Sequence, residues 1–202
     1  MCYWHTMNAH TTIVPAGETE DYVPVRYRLR VADYLLLHDK GSFRDEETEL
    51  VDGQIFYMSP EWRPHYRIKS ELMHRLHEAV RKAGLPFFVG SDGSIALSDN
   101  DMPRPDISLT SAAEGDGAIP AASVPLAVEV SSTTLGMDLG PKATRYAAGG
   151  LAEYWVIDLS GRTINRFASP SAEGYARHDE IPFGGPITSV TMPELTISSA
   201  DL

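Results

Sequence analysis

Residues 124–132 read Val-Pro-Leu-Ala-Val-Glu-Val-Ser-Ser, VPLAVEVSS. A mostly apolar run interrupted by one charge reads as a buried central strand, because a strand covered on both faces loses the usual apolar–polar alternation. Glu129 is the anomaly. Burying an unpaired carboxylate costs several kcal/mol, on the order of the whole net stability of a domain. The group must therefore be paired, protonated or bound to a cation. A salt bridge to an arginine is the structural alternative, and a metal ligand is the functional one.

The metal reading gains weight from the strand before it. Pro105-Asp106 heads the segment DISLT, residues 106–110, so Asp106 sits at the start of one predicted strand and Glu129 within the next. Adjacent strands can bring two such carboxylates within a few ångströms, and the Val130 carbonyl can add a third oxygen. An all-oxygen set suits Mg²⁺ or Mn²⁺ and is poor for Zn²⁺. A metal there polarises a phosphodiester and acidifies a bound water. A Pro-Asp or a Glu-Val-Ser alone is a weak signal; their order on strand, loop, strand and helix is a stronger one.

Working outward, VADYLLLH (31–38) predicts a short helix with a turn near Gly41. In TELVDGQIFYMSP, Asp52-Gly53 between alternating runs predicts a β-hairpin, since both residues tolerate positive φ. The clearest helix opens at Pro64 and stops at Gly84 and Pro86, with Ile68, Leu72, Leu76, Ala79 and Val80 as its apolar stripe. Arg63, Arg67, Lys69, Arg75, Arg81 and Lys82 make that helix locally basic, either as a solvated face or as a phosphate-facing one. LPFFVG and SIALS predict two strands joined at Ser91-Asp92-Gly93. Residues 111–124 read as a flexible Ala/Gly/Ser loop. A second helix is expected with Pro141 near its first turn and Gly149-Gly150 at its end. EYWVIDL and TINRF follow as strands, and YARH, ITSV and LTI as short strand-like pieces. The fold class expected is α/β (α+β): a mixed central sheet flanked by helices, with an N-terminal hairpin. Residues 25–202 form one domain, and 1–24 a polar tail in which Cys2, His5 and His10 lack a second ligand pair.

The 202 residues carry 17 Lys and Arg against 28 Asp and Glu, a net charge of −11. Such a balance repels phosphate at long range, so any nucleic-acid contact must be local. The single cysteine excludes an internal disulfide and, with no signal peptide in view, points to the cytoplasm. No apolar stretch approaches the roughly 18 residues of a membrane span.

Taken together, DYLLLHDKG, ELVDGQIFYMSP with His65 after it, RPDISL, LAVEVSS, then Asp138, Lys142 and Tyr146, GLAEYWVIDL and PITSVTMPELTI resemble the Uma-two family of endonucleases. That family lies within the PD-(D/E)xK restriction-endonuclease-like superfamily, and the likeness covers about residues 26–202. The resemblance implies that Asp106 and Glu129 are the motif carboxylates. It implies Glu49 as a further acidic member, although alone it reads as an exposed strand residue. Two residues after Glu129 the superfamily expects lysine, and this chain has Ser131. The resemblance implies that Lys142, on the next helix, replaces it; a long ammonium side chain can reach in from a neighbouring element. Tyr146, four residues on, shares its face and reads as core packing. His65 at the helix start, with Arg67 and Lys69, is a candidate phosphate contact, whereas His74 and His77 read as surface residues.

The expected function is hydrolysis of DNA by a Mg²⁺- or Mn²⁺-dependent endonuclease, with DNA held by local contacts. A homodimer is compatible with the chain, and a membrane partner is not expected. The rival is a non-catalytic module that keeps the nuclease fold, favoured by the net charge and by Ser131.

Overall fold

A computed structural model describes residues 24–44 and 46–202; the expected tail, with Cys2, His5 and His10, falls outside the described residues apart from Pro24. Helix α1 (Val31–Asp39) leads into strands β1 (Thr48–Val51) and β2 (Gln54–Tyr57). These two pair antiparallel, Leu50 opposite Ile55. The turn residues take positive φ, 54° at Asp52 and 69° at Gly53, as the hairpin signal requires. A side chain at Gly53 would also collide with Arg28, whose Cβ lies 2.6 Å from where a glycine Cβ would stand.

Helix α2 (Arg63–Ala83) begins after Trp62 and ends at Gly84, which is left-handed at φ 66°. Strands β3 (Phe88–Ser91), β4 (Ile95–Ala96) and β5 (Ile107–Thr110) follow, then β6 (Ile119–Pro120) and β7 (Leu126–Ser131). β3 and β4 do not pair with each other. β3 joins β5 antiparallel, and β4 pairs with β6 in a small sheet of its own. The loop over residues 111–124 is thus tied down at β6 and at a 3₁₀ turn, Ala121–Ser123.

Beyond β7 the chain makes a helical turn α3 (Leu135–Met137), a π-helical stretch (Asp138–Lys142) and helix α4 (Ala143–Ala148). Pro141 lies inside the π stretch, not in a helical first turn as expected. Proline lacks an N–H and its ring crowds the carbonyl one turn back, and a widened turn removes that conflict. Strands β8 (Glu153–Asp158), β9 (Thr163–Ser171), β10 (Gly174–Pro182), β11 (Pro186–Thr188) and β12 (Thr196–Ser198) complete the chain.

The main sheet runs β10-β9-β8-β7-β5-β3, with β7 and β8 parallel and its other pairs antiparallel. The strand that carries VPLAVEVSS is therefore interior, and every one of its residues is buried. Alternation along β7 divides its side chains. Val128 and Val130 pack with Ile68, Leu72, Leu76 and Val80 of α2. Ala127 packs on the opposite face with Ala143, Tyr146 and Tyr154. Glu129 shares parity with Ala127, so it faces α4.

A second buried glutamate lies at the other end of the parallel pair. Glu153, fully buried, accepts hydrogen bonds from Trp155 Nε1 at 2.7 Å, Ser189 Oγ at 2.6 Å, Thr191 N at 3.0 Å and Thr191 Oγ1 at 2.9 Å. Val190 N reaches both of its oxygens. These donors staple the segment after β11 to the sheet. Among the described residues no helix is long and apolar enough to cross a membrane.

Candidate active site

β5 and β7 pair antiparallel with Ile107 opposite Val128. One step along that register sets Asp106 beside Glu129 at the same end of the sheet. The two are linked through the backbone: Val130 N donates to Asp106 Oδ2 at 2.7 Å, and Asp106 N approaches Glu129 Oε2 at 3.4 Å. In an extended strand a residue's N–H and C=O leave on the same side, so the Val130 carbonyl faces the Asp106 strand as well.

Lys142 comes from the opposite direction, out of the π stretch. Its Nζ lies 2.8 Å from Glu49 Oε1, 3.0 Å from Glu129 Oε1 and 3.9 Å from Asp138 Oδ1. It is only 6 % exposed, so it is not the surface lysine that its sequence setting alone would suggest. Among the described residues the cation paired with Glu129 is this lysine and not an arginine. Glu49 reaches this point because β1 docks on the core: Leu50 exchanges backbone hydrogen bonds with Met102, and Arg104 N donates to Glu49 Oε2 at 3.1 Å. Glu49 is buried, not an exposed strand residue.

The start of α2 supplies a third group. His65 bonds Glu61 through Nδ1 at 2.9 Å and Asp106 through Nε2 at 3.2 Å. Lys69, one turn on, lies 2.8 Å from Asp92, 3.2 Å from Glu61 and 3.7 Å from Asp106. Arg67 points elsewhere; it is exposed and does not line the cavity. Arg75 is spent on Glu71 and on the carbonyls of Ser198 and Ala200. The basic face of α2 is therefore not one phosphate-binding surface. His74 and His77 are exposed.

These side chains share a cavity of about 580 Å³ whose walls include Glu49, His65, Lys69, Asp106, Glu129 and Lys142. Acidic side chains outnumber basic ones around it. Burial, together with the charges of Asp138, Asp106 and Glu49, pushes the Glu129 pKa well up against the opposing pull of Lys142. Burial raises Asp138 too, again opposed by Lys142. For Lys142, burial works against the charge, but Glu129, Glu49 and Asp138 outweigh it and hold its pKa above the usual lysine value. Asp106 is the contrast: burial would raise it, yet hydrogen bonds and charge from His65, the Val130 N–H and Lys69 bring it below the ordinary range. His65 loses charge stability by burial and more than regains it from Asp106 and Glu61.

One buried lysine thus faces three carboxylates, with a fourth beside them. The Asp106–Glu129 pair with the Val130 carbonyl offers an oxygen-only set that fits Mg²⁺ or Mn²⁺. Glu61, His65 and Asp106 also bring ligand atoms within 4.8 Å of one another. Asp106 is common to both groups, and an ammonium stands beside each, Lys69 at 3.2 Å from Glu61 and Lys142 at 3.0 Å from Glu129; only the Asp106–Glu129 side is built of oxygens alone.

The sequence reading gave no role to Glu61, Asp92 or Asp138. Asp138 and Lys142, four apart, carried the only local signal; Asp92 is brought in by a turn. Tyr146 is fully buried, as expected for packing, but its hydroxyl has no hydrogen-bond partner among the described residues.

A family model, Uma2, described as "Putative restriction endonuclease", matches residues 31–200. No curated protein matches. Among solved structures, a crystal structure from Anabaena variabilis ATCC 29413, described as a putative nuclease belonging to DUF820, is similar with a TM-score of 0.64 at 18 % identity. The alignment covers 86 % of this chain and 96 % of that one, and at this identity it shows a shared fold.

Proposed function

The chain belongs to the Uma2 family, and from that premise we propose that it is a metal-dependent endonuclease that hydrolyses DNA phosphodiester bonds. The observation that carries this reading is the placement of Glu129: buried, beside Asp106, and held by Lys142 at 3.0 Å within one cavity. Asp106, Glu129 and the Val130 carbonyl would hold Mg²⁺ or Mn²⁺, which would supply Lewis acidity toward the phosphate and toward a water.

The chain's own groups divide the remaining work. Asp106, kept anionic by His65 and the Val130 N–H, would be the ligand that stays charged. Lys142 stays protonated at neutral pH because its pKa is raised. It therefore acts as a fixed positive charge that orients a water or offsets charge on the phosphate, and not as the base. Glu49 holds that ammonium in place. His65 and Lys69 face the same cavity and can meet phosphate oxygens.

One observation favours a second reading, a binding module that keeps the fold: the Lys142 ammonium is engaged by both Glu49 and Glu129. Nicking of plasmid and cleavage of a single-stranded circular DNA, each in Mg²⁺ and in Mn²⁺, separate the two. The endonuclease reading expects cleavage that disappears in Asp106→Ala and in Lys142→Ala, while Lys142→Ala still binds Mn²⁺ by calorimetry. Wild-type protein that binds Mn²⁺ and leaves both DNAs intact supports the binding module.

A further inference from the structure

The mouth of the cavity carries two uncovered aromatic rings. Tyr57, at the end of β2, is 69 % exposed, and Trp62, the residue before α2, is 70 % exposed; both line the cavity that holds Asp106 and Glu129. Tyr66, 62 % exposed, stands one helical turn beyond Trp62, its N–H bonded to the Trp62 carbonyl. Tyr66 does not line the cavity, so the rings at its mouth are Tyr57 and Trp62. Scattered exposed apolar residues are ordinary, but large rings concentrated on the rim of a chemically equipped pocket mark a binding surface.

The charge at this rim narrows the occupant. Glu46, Glu47 and Glu61 line the same cavity, and the chain as a whole carries −11. Arg104 is paired with Glu47, and Lys69 with Glu61 and Asp92. Every cation lining the cavity is thus paired with a carboxylate, so within it little positive charge remains to track a phosphate backbone. A nucleic acid that binds here must be held chiefly by its bases, which stack on aromatic rings whatever their sequence. A duplex turns its base faces inward and shows phosphates outward, so it offers these rings nothing and meets the acids directly. A strand with unpaired bases offers both a π-face to the rim and a flexible backbone that can enter the cavity.

We propose that the site takes single-stranded or locally unpaired DNA, with Tyr57 and Trp62 stacking on the bases that flank the phosphate at Asp106 and Glu129. This rests on the endonuclease reading for the phosphate's position, and the stacking can be tested without cleavage.

The test uses a short fluorescein-labelled oligonucleotide, as a single strand and as a blunt duplex, with the wild-type protein in chelator and again in Ca²⁺. The single strand should bind at least about tenfold more tightly and quench the tryptophan emission. Trp62→Ala and Tyr57→Ala should each weaken it by roughly fivefold to a hundredfold, the range for loss of one stacked base, with Trp62→Phe restoring most of the binding. The salt dependence should be shallow, a log–log slope near about −1, as for one or two phosphate contacts. Equal or tighter binding of the duplex overturns the proposal, as does unchanged affinity in both alanine variants. Sedimentation showing self-association that Trp62→Ala abolishes assigns the rings to a homodimer and overturns it as well. Cleavage of either a plasmid or a single-stranded circular DNA in Mn²⁺, read separately, reports on the endonuclease reading alone. Stacking without cleavage leaves this inference standing, and duplex cleavage without stacking removes it.

Discussion

Glu129 and Glu153 are buried carboxylates on neighbouring parallel strands, and they are satisfied in opposite ways. Glu153 is closed in by neutral donors: an indole N–H, two hydroxyls and two backbone N–H groups. Glu129 has one lysine, shared with Glu49, and a long contact to a backbone N–H, while Asp106 and Asp138 stand near it. A carboxylate surrounded by aimed dipoles can be buried without any counter-ion, because each donor replaces a lost water. One left among other acids with a single cation keeps an unmet demand for positive charge. The first arrangement holds a fold together, and the second leaves room for a metal.

Conservative substitution should separate the two most sharply. Glu129→Gln keeps shape and removes charge. Plasmid nicking should fall on the order of a thousandfold or more, about 4 kcal/mol of lost transition-state stabilisation. Stability in urea should move little, because relief of like-charge crowding offsets the weakened Lys142 contact. A variant that nicks at the wild-type rate would remove Glu129 from the site.

Glu153→Gln should do the reverse. Its amide turns one acceptor into a donor that faces the N–H and hydroxyl groups of residues 189–191. Urea unfolding should show a loss of about 3 kcal/mol, the range for stranding buried donors, and the folded fraction should nick normally. Unchanged stability would mean that the segment after β11 is held by packing alone.

Metal provides the third separation. At a concentration of about 100 times the dissociation constant, an ion that binds only the folded state adds about 2.7 kcal/mol. Mn²⁺ should therefore raise the melting temperature of the wild type and of Glu153→Gln, but not of Asp106→Ala. An equal rise in all three would place the ion elsewhere.

Much of this contrast was legible in the sequence on one side only. Glu129 announced itself because it interrupts an apolar run, and Asp106 because its segment precedes that run across a loop. Glu153 sits just before the apolar part of EYWVIDL, where a charge looks like a strand end, and apart from the Trp155 indole its donors lie more than thirty residues away. Lys142 could be placed only by resemblance, since its burial depends on the π stretch around Pro141 and on a hairpin some ninety residues earlier. The hairpin itself, α2 and the interior strand were readable from local turn chemistry and periodicity. The pairing of β3 with β5 was not, because a short turn at Ser91-Asp92-Gly93 is compatible with a hairpin that tertiary packing does not form.

Asp179 calibrates the scale from the surface. It lies on β10 opposite Arg166 of β9, 2.8 Å from that guanidinium and 2.8 Å from Arg177. The Arg166 hydrogen bond, with Arg177 and both charges, holds its carboxyl below the ordinary aspartate value against a small opposing effect of burial. A lowered folded-state pKa means that the unfolded chain binds protons first as the solution is acidified. The stabilisation is thus fully present above the unfolded value of about 3.8 and is lost as pH falls through the folded one. Its size is limited, because the side chain is 32 % exposed and water screens the pair. Asp179→Asn should cost no more than about 1 kcal/mol at pH 7, and the gap from wild type should close below the ordinary aspartate pKa. Urea titrations at pH 7 and near pH 3 measure it. A cost equal to that of Glu153→Gln would show that paired charge, and not the number of buried donors, decides what a carboxylate contributes to this fold.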